Sequence, residues 1–186
     1  MMDRDVADEP RLFELPQRYR TLQAEARELA ASVADRAAVA DEADRVDPVM
    51  RERLAASGLA AVTVAAEYGG RFERVDSLAV TVVREVLAGT SAHLDSLFAM
   101  QGIGSYPVSA GGRDPVRKRW LPAVATCEAI AALALTEPDV GSDLRAITTT
   151  VRAEGDELVI DGRKSFITNA GDASFYSVLC LSLIHI

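Results

Sequence analysis

The chain has 186 residues, 49% of them hydrophobic and 5% aromatic, with 20 basic against 28 acidic side chains, a formal charge of -8 and a pI near 4.8. This acidic balance repels phosphate backbones and anionic lipid, which argues against nucleic-acid and membrane partners. The N-terminus, Met1-Met2-Asp3-Arg4-Asp5, lacks the apolar core of a secretory signal, no apolar run approaches the ~18 residues that span a bilayer, and Cys127 and Cys180 form neither a CxxC motif nor a disulfide framework, so a cytoplasmic protein is expected.

From about Leu15 to Asp44, apolar residues at Leu22, Ala26, Leu29, Val33 and Ala37 step by three and four, which predicts one buried stripe on a single long helix. Asp47-Pro48 reads as a cap followed by a first-turn proline and Ser57-Gly58 as a stop, with a short helix between them. Glu67-Tyr68-Gly69-Gly70 reads as a turn. Asp76 opens a helix whose Leu78, Ala79, Val82, Val83, Val86 and Leu87 cover enough of the circumference to predict deep burial, and Gly89 ends it.

A further helix is predicted through Leu94, Leu97, Phe98 and Gln101. Asp114-Pro115 then starts a short one that Pro122 is expected to end. His93 reads as a packing or surface histidine, Arg117-Lys118-Arg119 as a solvated helix face and Trp120 as core.

After Glu128 the period changes. Ile130 to Leu135 is a compact apolar strand, Thr149 to Ala153 and Leu158 to Ile160 alternate, and Glu154-Gly155-Asp156-Glu157 between them is a hairpin turn. The most telling stretch is Ala134 to Asp143, A-L-T-E-P-D-V-G-S-D, where an apolar strand runs into a polar turn. Thr136 offers a hydroxyl, Pro138 stiffens the backbone, and Gly141-Ser142 leaves main-chain N–H groups open to an anionic ligand. Glu137 adjoins that turn and reads as its brace rather than as a catalytic base.

This run resembles the flavin-binding signature of the acyl-CoA dehydrogenases. Arg119-Trp120-Leu121-Pro122 followed by Glu128 resembles the lead-in to the flavin strand, Glu67 to Gly70 the glycine turn between N-terminal helices, and Asp161 to Ala170 the second flavin segment. The parts stand in the family's order and spacing, which no single motif would establish. The resemblance implies an α+β chain, an all-α N-terminal helical domain followed by the first strands of an antiparallel β-barrel middle domain. Its divisions would be 1-127, a partial β domain at 128-180, and 181-186 as an artificial tail, because Leu181 to Ile186 departs from the family pattern and matches what a sequencing adapter would encode. Family members run to roughly twice this length, and the C-terminal bundle that normally carries the carboxylate base is not matched.

By the same resemblance, the cofactor is FAD. Leu133, Leu135 and Thr136 would contact the flavin's pyrimidine edge, Gly141 and Ser142 its ribityl-phosphate region, and Phe166, Ile167 and Thr168 the other side of the ring, with the Ser142 backbone also facing the acyl-CoA. Many members have tryptophan where Phe166 stands and an aromatic where Leu133 stands; phenylalanine keeps a stacking face but loses the indole N–H.

The implied reaction is α,β-desaturation of an acyl-CoA thioester, with electrons passed to an electron-transfer flavoprotein and a homo-oligomeric parent. No catalytic base and no metal ligand is assigned, so the chain alone is expected to be inactive. A flavin-dependent monooxygenase or oxidase, or a non-catalytic binding protein of the same fold, would use the same scaffold. The Thr136-Glu137-Pro138 and Gly141-Ser142-Asp143 words favour the dehydrogenase.

Overall fold

The computed structural model describes residues 14–182. The predicted long helix is two pieces, α1 (Gln17–Ala31) and α2 (Ala37–Asp41), joined by a turn. The break has a local cause. The Ser32 hydroxyl donates to Leu29 O at 2.7 Å, and Val33 leaves helical geometry at φ -129°, as expected of a serine competing for backbone acceptors beside a β-branched residue. The stripe nevertheless survives the break, since Leu22, Ala26, Leu29, Val33 and Ala37 are all buried.

Helix α3 (Pro48–Ser57) has the expected ends. Asp47 accepts from the N–H groups of Val49 and Met50, and Gly58 closes the helix at φ 64°, a left-handed position that glycine adopts without strain. Helix α4 (Ser77–Ala88) is capped by Asp76, which accepts from Leu78 and Ala79. The predicted deep burial holds for Ala79, Val82, Val83 and Leu87 and is corrected for the other two: Val86 is half-buried and Leu78 is 43% exposed, because only one face of the helix meets α1 and the next helix.

That next helix, α5 (Ala92–Gly111), runs the length of the domain and packs on α2, α3, α4 and α6 (Asp114–Ala125). Pro122 does not end α6, contrary to expectation. Both Pro122 and Lys118, whose carbonyl it would otherwise bond, are on the exposed face, so the carbonyl that loses its donor is open to solvent instead of being sealed in the core. Trp120 is half-buried rather than core, and its ring lies 4.9 Å from Phe175 at a tilt of 38°. Arg117 donates to Gly112 O at 2.6 Å, while Lys118 and Arg119 face solvent as expected. The main core gathers Met50, Leu54, Leu59, Leu87, Leu97 and Phe98, none more than 1% exposed; each such side chain contributes roughly 1.5–3 kcal/mol on removal from water.

Among the described residues five strands follow: β1 (Ala131–Ala134), β2 (Thr150–Glu154), β3 (Glu157–Asp161), β4 (Phe175–Val178) and β5 (Leu181–Ser182). The α+β class holds. The antiparallel expectation holds for the β2–β3 hairpin, which pairs Glu154 with Glu157 across the Gly155-Asp156 turn, whereas β1–β4 and β2–β5 are parallel. The reason is connectivity, because a whole hairpin intervenes between β1 and β4, and so long a crossover permits parallel pairing. Of the suspected tail, Leu181 and Ser182 pair with Thr150 and Val151 as β5; residues 183–186, including His185, lie outside the described residues.

Asp47 is the most heavily used cap. Beyond its two backbone donors it takes Arg36 Nη2 at 2.7 Å, and its own N–H donates to His93 Nε2 at 3.0 Å. Asp47→Ala should lower unfolding stability by about 1–2 kcal/mol, read as a lower urea midpoint at unchanged slope. An unchanged midpoint would show that the cap does not matter.

Candidate flavin site

The site is built outward from β1. In a strand, successive peptide groups point to opposite edges. On one edge Ile130 O accepts from Ser174 N at 2.7 Å and Ala134 O from Leu179 N at 3.0 Å, which fastens β1 to the β4 side. The other edge has no neighbouring strand among the described residues, and side chains take its place. Gln101 on α5 donates to Ala129 O at 2.8 Å and accepts from Ala131 N at 3.1 Å; Asn169 donates to Ala131 O at 3.1 Å; Lys164 Nζ donates to Leu135 O at 2.8 Å. By the same alternation, the Leu133 peptide groups and the Leu135 N–H point to this edge, between the Asn169 and Lys164 anchors.

Glu137 is 3% exposed and accepts at both oxygens, from Thr148 N and Thr148 Oγ1 at 2.7 Å each, from Thr149 N at 2.8 Å and from Lys164 Nζ at 3.0 Å. Its pKa is pushed well below the usual carboxylate range. The Thr149 side chain is the largest cause, although its hydroxyl falls outside full hydrogen-bond geometry; burial opposes it, and the Thr148 hydroxyl and the two N–H groups add to it. A carboxylate so saturated braces the turn, as the sequence suggested. The brace also closes the turn on itself, since Glu137 N donates to Val140 O at 2.9 Å and Val140 N returns to Glu137 O at 3.2 Å.

The second segment is tied to the first by its backbone, Ser165 N donating to Thr136 O at 2.9 Å. Beyond that tie Phe166 stands at φ 57° with its side chain 93% exposed, and Asn169 at φ 66°. A bulky residue in the left-handed region is uncommon and strained. Ile167 is half-buried and Thr168 exposed; Leu133, Leu135 and Thr136 are half-buried; Gly141 and Ser142 are exposed, with nothing near the missing Gly141 side chain.

The two segments thus share a backbone junction but open onto different hollows. Leu133 and Leu135 line a cavity of about 400 Å³ with Pro107, Gly111 and Val178, whereas Ile167 and Thr168 line one of about 340 Å³ with Asp41, Val46 and His93. His93 packs as expected, accepting from Asp47 N. Among the described residues no cluster of three or more metal-ligating side chains occurs, and no helix is long and apolar enough to cross a membrane.

Gln101, Lys164 and Asn169 were not singled out from the sequence. The available signal was chemical: a glutamine on an otherwise apolar helix stripe, and a lysine and an asparagine within the second segment.

Since the folded Glu137 titrates below its ordinary 4.5, its stabilisation is complete above pH 4.5 and is lost as pH falls from there through the folded value. Glu137→Gln should therefore be less stable than the parent chain at pH 7, and the gap should narrow as urea titrations are repeated from pH 4.5 downward. A gap independent of pH would rule out an ionised brace.

Comparison with known proteins agrees with this architecture. The family model for the acyl-CoA dehydrogenase N-terminal domain matches residues 16–128, and that for the acyl-CoA dehydrogenase middle domain matches residues 132–184. The probable acyl-CoA dehydrogenase fadE25 of Mycobacterium leprae is 34% identical over 172 residues, covering 92% of this chain and 44% of that protein. Cyclohexane-1-carbonyl-CoA dehydrogenase of Syntrophus aciditrophicus is 34% identical over 80% of this chain and 38% of its own length. The crystal structure of an acyl-CoA dehydrogenase complexed with FAD from Bacillus anthracis superposes with a TM-score of 0.79 at 27% identity, covering 91% of this chain and 30% of that one. The chain spans less than half the length of each of these relatives, and across the residues it does span it belongs to the acyl-CoA dehydrogenase family.

Proposed function

We propose that this chain supplies part of the FAD site of an enzyme that desaturates an acyl-CoA thioester between its α and β carbons. The observation that carries the reading is the junction of the two segments, Ser165 N on Thr136 O with Lys164 bridging Leu135 O and Glu137. It ties the backbones of the two segments that the family resemblance picks out, although the cavities lined by Leu133 and Leu135 and by Ile167 and Thr168 are separate. The donor set suits a flavin: peptide groups on a strand edge, the Thr136 and Ser142 hydroxyls, an open approach at Gly141 and an exposed aromatic face at Phe166.

On this reading Leu133, Leu135 and Thr136 hold the pyrimidine edge of the ring, and Phe166, Ile167 and Thr168 line its other side. Gly141 and Ser142 meet the ribityl-phosphate portion, and the Ser142 backbone also faces the acyl-CoA. FAD supplies the hydride acceptor when bound. The strand edge orients it, and the Glu137–Lys164 brace keeps the turn from relaxing.

Glu137 is not the base that removes the α-proton, since its oxygens are already taken and its proton affinity is lowered. None of the described residues is assigned that role, and the chain alone is inactive on this reading. The division into a helical part at 1-127 and a partial β part at 128-180 belongs to the same proposal, as do a cytoplasmic homo-oligomeric parent and an electron-transfer flavoprotein as acceptor.

Equilibrium titration with FAD, followed by flavin fluorescence, tests the site. The chain should perturb the fluorescence yet release the flavin during gel filtration, and Phe166→Ala should weaken the effect roughly two- to tenfold, the scale of one aromatic stack. No perturbation at any FAD concentration would sink the cofactor reading; stoichiometric flavin surviving gel filtration would sink the claim that the site is incomplete.

A further inference from the structure

Ala131 is held at both of its peptide groups by side chains from different parts of the fold. Its N–H is taken by Gln101 Oε1 at 3.1 Å, and its carbonyl by Asn169 Nδ2 at 3.1 Å. Gln101 is fully buried and leaves none of its amide unused, because Nε2 also reaches Ala129 O at 2.8 Å and Val124 O at 3.1 Å. Its grip on residues 129 and 131 reproduces what an adjacent strand would offer, a donor and an acceptor to every second residue.

α5 comes close enough to do this because of Gly104. A methyl group there would stand 2.9 Å from the Ala131 side chain and 2.9 Å from Ala132 N, and the Gly104 carbonyl accepts from Ser177 of β4 at 2.7 Å. Asn169 acts from the opposite end of the site. It immediately follows Phe166-Ile167-Thr168 and adopts φ 66°, so its amide is aimed by a left-handed turn.

We propose that Gln101 and Asn169 are positioning residues which index both cofactor segments to Ala131, the one setting the height of Leu133–Thr136 on the helical domain and the other setting Phe166–Thr168 against that strand. The inference rests on the FAD reading for its purpose, and on the hydrogen bonds alone for its mechanics. Alignment on one shared residue matters because a displacement of about 1 Å is enough to spoil an active-site geometry.

Two variants of the full chain test it. Gln101→Met keeps the shape and removes every hydrogen bond; Asn169→Gly keeps the left-handed turn, which glycine tolerates, and removes only the bond to Ala131. Amide hydrogen exchange is read at Ser165 and Leu179, whose N–H groups bond Thr136 O and Ala134 O and touch neither substituted side chain. Both variants should exchange there about tenfold faster, the scale of a lost buried hydrogen bond, while α4 amides keep their protection, and FAD affinity should fall by a similar factor.

Unchanged exchange at Ser165 and Leu179, or acceleration spread equally over α1 to α6, would overturn the proposal. If the unsubstituted chain ignores FAD, the cofactor reading fails, and the exchange measurement still decides the positioning. Should Gln101→Met lose its cooperative melt, Asn169→Gly decides by itself.

Discussion

A strand whose two edges are both shielded from water must find partners for every peptide group, because a buried N–H or C=O left unpaired forfeits more than a hydrogen bond gains. β1 meets that demand with β4 along one edge and, over much of the other, with the side chains of Gln101, Asn169 and Lys164, which leave the Leu133 peptide groups and the Leu135 N–H between them. Much of the rest is arranged around this substitution. α5 needs Gly104 to approach closely enough, the second segment needs a left-handed asparagine to turn back toward the strand, and Lys164 needs Glu137 to balance a charge brought into a nearly dry place.

The Glu137–Lys164 pair shows how the electrostatics follows from the backbone. A buried ion pair seldom adds net stability, because desolvation offsets the Coulomb gain. Here the glutamate also accepts from Thr148 and Thr149, and the lysine also donates to the Leu135 carbonyl. The pair therefore joins three stretches distant in sequence, the end of β1, the approach to β2 and the second segment, at one point. It is a structural knot, and its chemistry argues against proton transfer.

The sequence disclosed those parts of the fold that local rules govern. Asp47-Pro48, Gly58, Asp76 and the Gly155-Asp156 turn were readable because caps and turns are decided within a few residues, and the family membership because the wording of the matching segments is dense. The break at Ser32-Val33, the continuation of α6 through Pro122 and the exposure of Leu78 were not. Each depends on which side of an element meets a neighbour, and periodicity leaves that open. Parallel pairing of β1 with β4 was likewise hidden, since it depends on a crossover rather than on strand composition. Gln101 was legible as a member of a helix but not as a clamp, because its three partners lie at positions 124, 129 and 131.

The backbone at Phe166 is a small store of tension. A left-handed phenylalanine costs of the order of 1–3 kcal/mol relative to a relaxed residue, and this one recovers little of that by burial, being almost wholly in solvent. Glycine there would release the tension at the price of the ring. On the FAD reading proposed above, what the polypeptide would gain is readiness: the backbone that carries the aromatic plate is already turned outward before any guest arrives, so its ordering need not be deducted again at the moment of encounter.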